Sequence, residues 1–328
     1  MRTQSRAVTV GRLPDLRWRP VEIVFWAAAV AAFFLFPRYL VLGSQILITG
    51  LFAVSLDLIL GYAGVVSLGQ AAMFGGGAYT AGLLATHGWS EPISGLLAAA
   101  AVGAGIAFAT SFLVLRGGDL TRLMVTLGIG LMLYELANQA ATITGGVDGL
   151  SDMVVGNLMG LFAFDLAGRT AYAYSLAVLF AVFCLCRRVV RSPFGLSLRG
   201  IRDRPERMSA LGAPVRRRLT AVYTLAGAVA GLAGALLAQT TQFVGLEVLG
   251  FSRSAELLIM LVLGGTGLLY GGLVGAAVFM IAQHFLSGVN PVYWQFWLGL
   301  LLVLAVFFTP GGILGTLAST WYRRRRPR

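Results

Sequence analysis

"LGYAGVVSLGQAAMFGGGAYTAGLL", residues 60–84, carries glycine at Gly61, Gly64, Gly69, Gly75, Gly76, Gly77 and Gly82 and no charged side chain. In a water-soluble helix each interior glycine costs about 0.5–1 kcal/mol relative to alanine. In a bilayer, helices attract one another mainly by close packing, and small residues let their backbones approach. Glycine also allows a span to break where protein covers the freed backbone groups. The stretch therefore points to a membrane interior.

The rest of the chain agrees. It has 328 residues, is 58% hydrophobic and only 12% charged, with a mean hydropathy of +0.82. The charged share is about half that of soluble domains. Ten apolar runs fit a span length of about 20 residues: 21–36, 44–61, 69–86, 92–115, 120–143, 170–186, 219–240, 254–263, 269–286 and 293–308. The expected fold is all-α, a polytopic helical membrane protein of about ten spans with glycine-rich broken or re-entrant segments. The eighth run is short enough to read as a re-entrant half-helix.

The net charge is +12, and every Lys or Arg position is arginine. These arginines cluster in the N-terminal tail (Arg2, Arg6, Arg12, Arg17, Arg19), in residues 187–218, and in the terminal "RRRRPR". All three clusters flank apolar runs, as cytoplasmic anchors do under the positive-inside rule. The pattern argues against nucleic acid. It gives a cytoplasmic tail at 1–20, a membrane domain at 21–318 and a second cytoplasmic tail at 319–328. The 144–169 segment, with Asp148, Asp152 and Asp165, falls outside. No A-x-A-like cleavage site follows the first apolar run, which reads as a retained helix. Cys184 and Cys186, two residues apart on one helix, read as free apolar fillers. No metal, cofactor or catalytic group is expected.

Polar residues inside spans are the functional candidates. "GYAGVVSLGQ" sets the breakers Gly61 and Gly64 before the polar pair Ser67 and Gln70, with Tyr79 further along the next span. Such a break serves either a solute pathway or plain close packing. Asp57 lies in the second span, either hydrogen-bonded to a neighbouring helix or protonated. Glu135, Asn138, Gln139 and Thr142 share one helical face, read as lining the bundle interior toward the outside or as a helix end in the headgroups. His284 and Glu256 lie near span ends and read as structural. Leu60-Gly61-x-x-Gly64-x-x-x-x-Gly69 is echoed by Leu263-Gly264-x-x-Gly267-x-x-x-x-Gly272, which adds Gly264 and Gly265.

Between the sixth and seventh spans, Pro193 and Gly195 are expected to end a helix. "RDRPERMSALGAP" then predicts a short helix of about eight residues. Asp203 is its N-cap, Pro205 and Glu206 lie in its first turn, Gly212 is just past its end and Pro214 beyond. Met208 and Leu211, three apart, are expected to share a face. The segment reads as a docking knob, or as a solvated loop that only sets topology.

Residues 60–84 resemble the signature of permease subunits of branched-chain amino-acid ABC transporters, of the M type. The resemblance continues through "TGGVDGLS" (144–151), "RSPFGLSLRGIRD" (191–203), "ALG" (210–212), "VLGGTGLLYGGLVGAA" (262–277) and "FTPGGILG" (308–315). It implies a bacterial inner-membrane location and a coupling helix that seats on an ATPase. By matching, Arg199, Ile201, Arg202, Asp203, Leu211 and Gly212 fall on that pattern, whereas Gly200 stands where alanine is usual. The family more often carries asparagine at position 57. No G-x-x-x-x-G-K-[ST] loop occurs, and "GGGAYT" lacks the lysine of a phosphate cradle. The implied partners are two ATPase subunits, a related H-type permease and an external solute-binding protein. Close relatives of the family carry urea or short amides. An ion-driven secondary transporter, encouraged by Asp57 and Glu135, is the alternative of a different class. A membrane-embedded enzyme finds no triad, metal cluster or carboxylate pair.

Overall fold

A long apolar run in a bilayer has one local way to satisfy its backbone, the helix. The computed structural model describes residues 20–151, 153, 155–156, 168–291, 293–308 and 311–316. Among these residues every regular element is helical, and an isolated β-bridge joins Leu150 to Val244. The tail arginines, Asp152, Asp165, Thr309 and Pro310 lie outside the described residues.

The helices are α1 (Pro20–Leu35), α2 (Leu40–Leu56), α3 (Gln70–Thr86), α4 (Pro92–Val114), α5 (Asp119–Gln139) and the single turn α6 (Ala141–Thr144). After residue 168 come α7 (Arg169–Arg191), α8 (Pro193–Asp203), α9 (Pro205–Ala210), α10 (Val215–Thr241), α11 (Phe251–Gly264), α12 (Leu269–Val289) and α13 (Trp294–Phe308). A π-helical turn, Asp57–Tyr62, prolongs α2. Each of the ten apolar runs is helical. Six helices among the described residues are long and apolar enough to cross a bilayer: α2 with its π turn, α4, α5, α7, α10 and α12. α1 and α13 are shorter apolar helices. α11 has 14 residues, about 21 Å at 1.5 Å per residue, which is short of the ~30 Å hydrocarbon core. A buried 3-10 turn, Leu246–Leu249, precedes it, with Val244 inaccessible and Leu246, Val248 and Leu249 nearly so.

The core is built on a glycine seam. Gly231 of α10 meets α3 on one side and α4 on the other: a β-carbon there would strike the carbonyl oxygen of Ala99, and one at Gly77 would strike that of Gly231. Gly227 faces Gly103, and Gly234 faces the carbonyl of Phe74. Backbone therefore touches backbone along three helices, which is how dispersion holds helices together without a hydrophobic force between them.

On the opposite flank α1 docks on α7. Trp26 sits edge-on to Phe180 and Phe183, at centroid distances of 4.9 and 5.3 Å. Glu22 pairs with Arg187 at 2.7 Å and with Arg191 at 3.1 Å. Arg187, expected as a solvated anchor, is instead nearly buried. Cys184 and Cys186 are both free, and Cys186 is buried.

The 187–218 segment departs from expectation. α7 runs on to Arg191, and Pro193 starts a helix instead of ending one. Proline at the first helical position is compatible with a helix because its missing N–H has no intrahelical partner there. The Ser192 hydroxyl also accepts from the Gly195 amide at 3.4 Å. Gly195 is therefore an interior residue of α8. Asp203 closes α8 and caps nothing; the N-cap of α9 is Arg204, with no side-chain cap bond, and α9 has six residues.

Candidate functional site

α2 does not end cleanly. Its last turn widens to a π turn, a form frequent at functional sites, and at Gly64 the chain turns through a φ of +72°. Residues 64–69 then run without helix until Gln70 opens α3. The break read from "GYAGVVSLGQ" is thus present, and Ser67 and Gln70 are both buried beside it. The Leu68 amide donates to the Thr126 hydroxyl at 3.1 Å, and the Ala71 amide to the Ser254 hydroxyl at 3.1 Å. Gln70 finds no hydrogen-bond partner for its amide group among the described residues, nor does the Tyr79 hydroxyl.

The two echoed segments meet in space. The Asp57 side chain accepts from the Gly267 amide at 2.6 Å, so this buried acid is held by the loop between α11 and α12. Gly64 and Gly267 occupy the same place in the echo. Both take left-handed backbone, with φ of +72° and +78°, a region costly for any residue with a β-carbon. Both also face one side chain, Arg202 of α8. A β-carbon at Gly64 would lie 2.8 Å from Arg202 Cγ, and one at Gly267 would lie 3.2 Å from its Nη1. Arg202 Nη1 also donates to the carbonyl oxygen of Gly61. One turn back on α8, the Arg199 guanidinium lies 5.1 Å from the centre of the Tyr62 ring, within the range of a cation–π contact. Ile201, two residues further along α8, is buried. Four expected residues, Asp57, Gly61, Gly64 and Arg202, thus converge at one knot where α8 clasps the broken ends of α2 and α11.

Gly264 and Gly265 lie just beside the knot but pack elsewhere. A β-carbon at Gly264 would strike Gly271 of α12. Gly265, at φ +112°, is approached by Gly312, which ties the segment after α13 to the same corner.

α9 does not present the expected paired face. Met208 turns inward: a β-carbon at Gly200 of α8 would meet its sulfur at 2.8 Å. Leu211 points away and is 75% exposed. Asp203, Glu206 and Gly212 are exposed with Leu211. The difference arises because Leu211 lies beyond the last turn of α9, where helical spacing no longer sets its direction.

The face of Glu135, Asn138, Gln139 and Thr142 does not line the interior of this chain. Glu135, Gln139 and Thr142 are exposed, and Thr142 belongs to α6. Gln139 Nε2 donates to Glu135 Oε1 at 3.1 Å. α5 packs inward through Thr126 and Ala137 and is the least covered of the long helices.

Broken apolar helices gathered on a short arginine-bearing helix are the geometry of a helical membrane protein, and the family match makes it a permease-type subunit. The chain belongs to the family described as branched-chain amino acid transport system / permease component, whose pattern matches residues 38–306. It is 31% identical over 285 residues to the high-affinity branched-chain amino acid transport system permease protein LivM of Escherichia coli (strain K12), with 79% of this chain and 66% of that one covered. It is 31% identical over 286 residues to the protein of the same name from Salmonella typhimurium, with the same coverage. The galactose/methyl galactoside import permease protein MglC of Haemophilus influenzae is 29% identical over 225 residues, covering 64% of this chain and 65% of that one. The chain spans 66% of the length of its LivM relatives. No solved structure matches.

Proposed function

We propose that this chain is one permease subunit of an ATP-binding-cassette importer for branched-chain amino acids in a bacterial cytoplasmic membrane. It has about ten transmembrane helices, the short α11 among them as a full or re-entrant span, with both termini and the α8–α9 segment in the cytoplasm. Two separate ATPase subunits supply the energy. A related H-type permease completes the pathway, and a soluble binding protein delivers cargo from outside. Family membership and the names of the 31% identical relatives support the class and the cargo.

The observation that carries the coupling mechanism is the knot. ATPase closure pushes on α9, at Leu211 and its exposed neighbours. α8 moves with α9 through the Met208–Gly200 contact. Arg202 passes the shift to the Gly61 carbonyl and to the Gly64 and Gly267 turns, where α2 and α11 end. The bare Glu135–Gln139 face of α5 is the side turned to the second permease.

The test is uptake of labelled leucine by the complete importer in proteoliposomes with the binding protein added. The proposal expects uptake that requires ATP. Uptake of urea in place of leucine overturns the cargo. Leucine uptake by this chain alone under a proton or sodium gradient overturns the class and favours a secondary transporter.

A further inference from the structure

A second feature lies away from the knot. Between α2, α3, α11 and α12 is a cavity of about 300 Å³, at the lower end of the range for small-molecule sites. One wall is apolar, made by Ile48, Phe52, Leu257 and Met260. Arg253 and Glu256 also line it, as do Gln45 and Thr49 of α2.

Arg253 and Glu256 stand three residues apart on α11, so they share a face. Their ion pair is long, 3.7 Å between Nη1 and Oε2, and both side chains are 39% exposed. The Glu22–Arg187 pair, at 2.7 Å and nearly buried, is made differently. A half-exposed ion pair on one helix contributes little to stability, so the fold gains little from it. Ionisable groups among membrane spans mark solute pathways by default. Here opposite charges lie side by side at the edge of an aliphatic and aromatic wall.

We propose that this cavity is an intramembrane subsite for a zwitterionic α-amino acid with an apolar side chain. Glu256 takes the α-ammonium and Arg253 the α-carboxylate. The side chain lies against Phe52, Leu257 and Met260. A neutral amide such as urea matches neither the two charges nor the wall. The inference rests on the amino-acid importer reading above and places the chemical selection within this subunit.

The experiment measures tritiated leucine binding to the complete importer in nanodiscs, without the external binding protein. Wild type is expected to bind saturably. Valine competes, whereas 3-methylbutylamine and 4-methylpentanoate, each lacking one charge, do not. Glu256→Gln and Arg253→Gln each weaken binding at least tenfold. As a readout that keeps both charges, leucine should slow maleimide labelling of Thr49→Cys in a background with Cys184 and Cys186 replaced by serine. No saturable binding, binding unchanged by both charge variants, or labelling unaffected by leucine overturns the subsite. ATP-driven uptake, measured in parallel, separates the two claims: uptake without binding removes the subsite and keeps the importer, whereas variant-sensitive binding without uptake does the reverse.

Discussion

Arg202 of α8 donates to the carbonyl oxygen of Gly61, in the last turn before α2 breaks. A break frees backbone groups that need new partners, and Gly61 itself is buried. A single guanidinium, with five donors in a fixed fork, therefore both satisfies the break and joins it to another helix.

Replacing Arg202 tests whether this bond transmits motion. Arg202→Ala should lower ATP-driven leucine uptake by the reconstituted importer at least tenfold while ATP hydrolysis continues, an uncoupled state. Arg202→Lys keeps charge without the planar fork and should fall between. Equal loss of uptake and hydrolysis would instead mark a folding defect.

Leu211 and Met208 should now part company. Leu211→Asp changes an exposed side chain and should leave thermal stability within about 0.5 kcal/mol while abolishing solute-stimulated hydrolysis. Met208→Asp places a carboxylate against Gly200 and should lower stability by roughly 1–3 kcal/mol, read as a fall in melting temperature in detergent.

Gly64→Ala should cost about 1–2 kcal/mol from its left-handed backbone alone, plus the displacement of Arg202 from a contact at 2.8 Å. Gly105→Ala, in α4 with open space around it, is the control and should gain roughly 0.5–1 kcal/mol. Thermal unfolding of the two purified variants compares them directly.

Glu22→Gln should destabilise the chain by about 3 kcal/mol, because it removes the negative charge that two arginines share in a nearly closed site. The double variant Glu22→Gln with Arg187→Met should recover part of that loss, since an apolar replacement of a buried pair is often neutral. Melting temperatures of the single and double variants report the difference.

Hydropathy located the helices because each apolar run must satisfy its own backbone, and the break after α2 was readable from Gly61 and Gly64 before a polar pair. Contacts made by distant residues were not readable. Nothing in the sequence placed Arg202 on Gly61, or Glu22 beside Arg187, although a lone glutamate at the head of an apolar run was a usable signal for the second. The α8 start was misread because proline both stops a helix and opens one; the preceding Ser192 decides between them. Periodicity put Glu135 and Gln139 on one face correctly, but it carries no information on which way a face points. Glu256 read as a structural residue because its partnership with a cavity wall depends on α2 and α12.

The seam through Gly77, Gly103, Gly227, Gly231 and Gly234 sets backbone directly against backbone where α3, α4 and α10 meet. Rotamer changes usually absorb sliding between helices, and at these glycines there are none to change. Sliding is least free along this line, so opening of the subunit is expected first at its joints with α1, α7 and the α11–α12 pair.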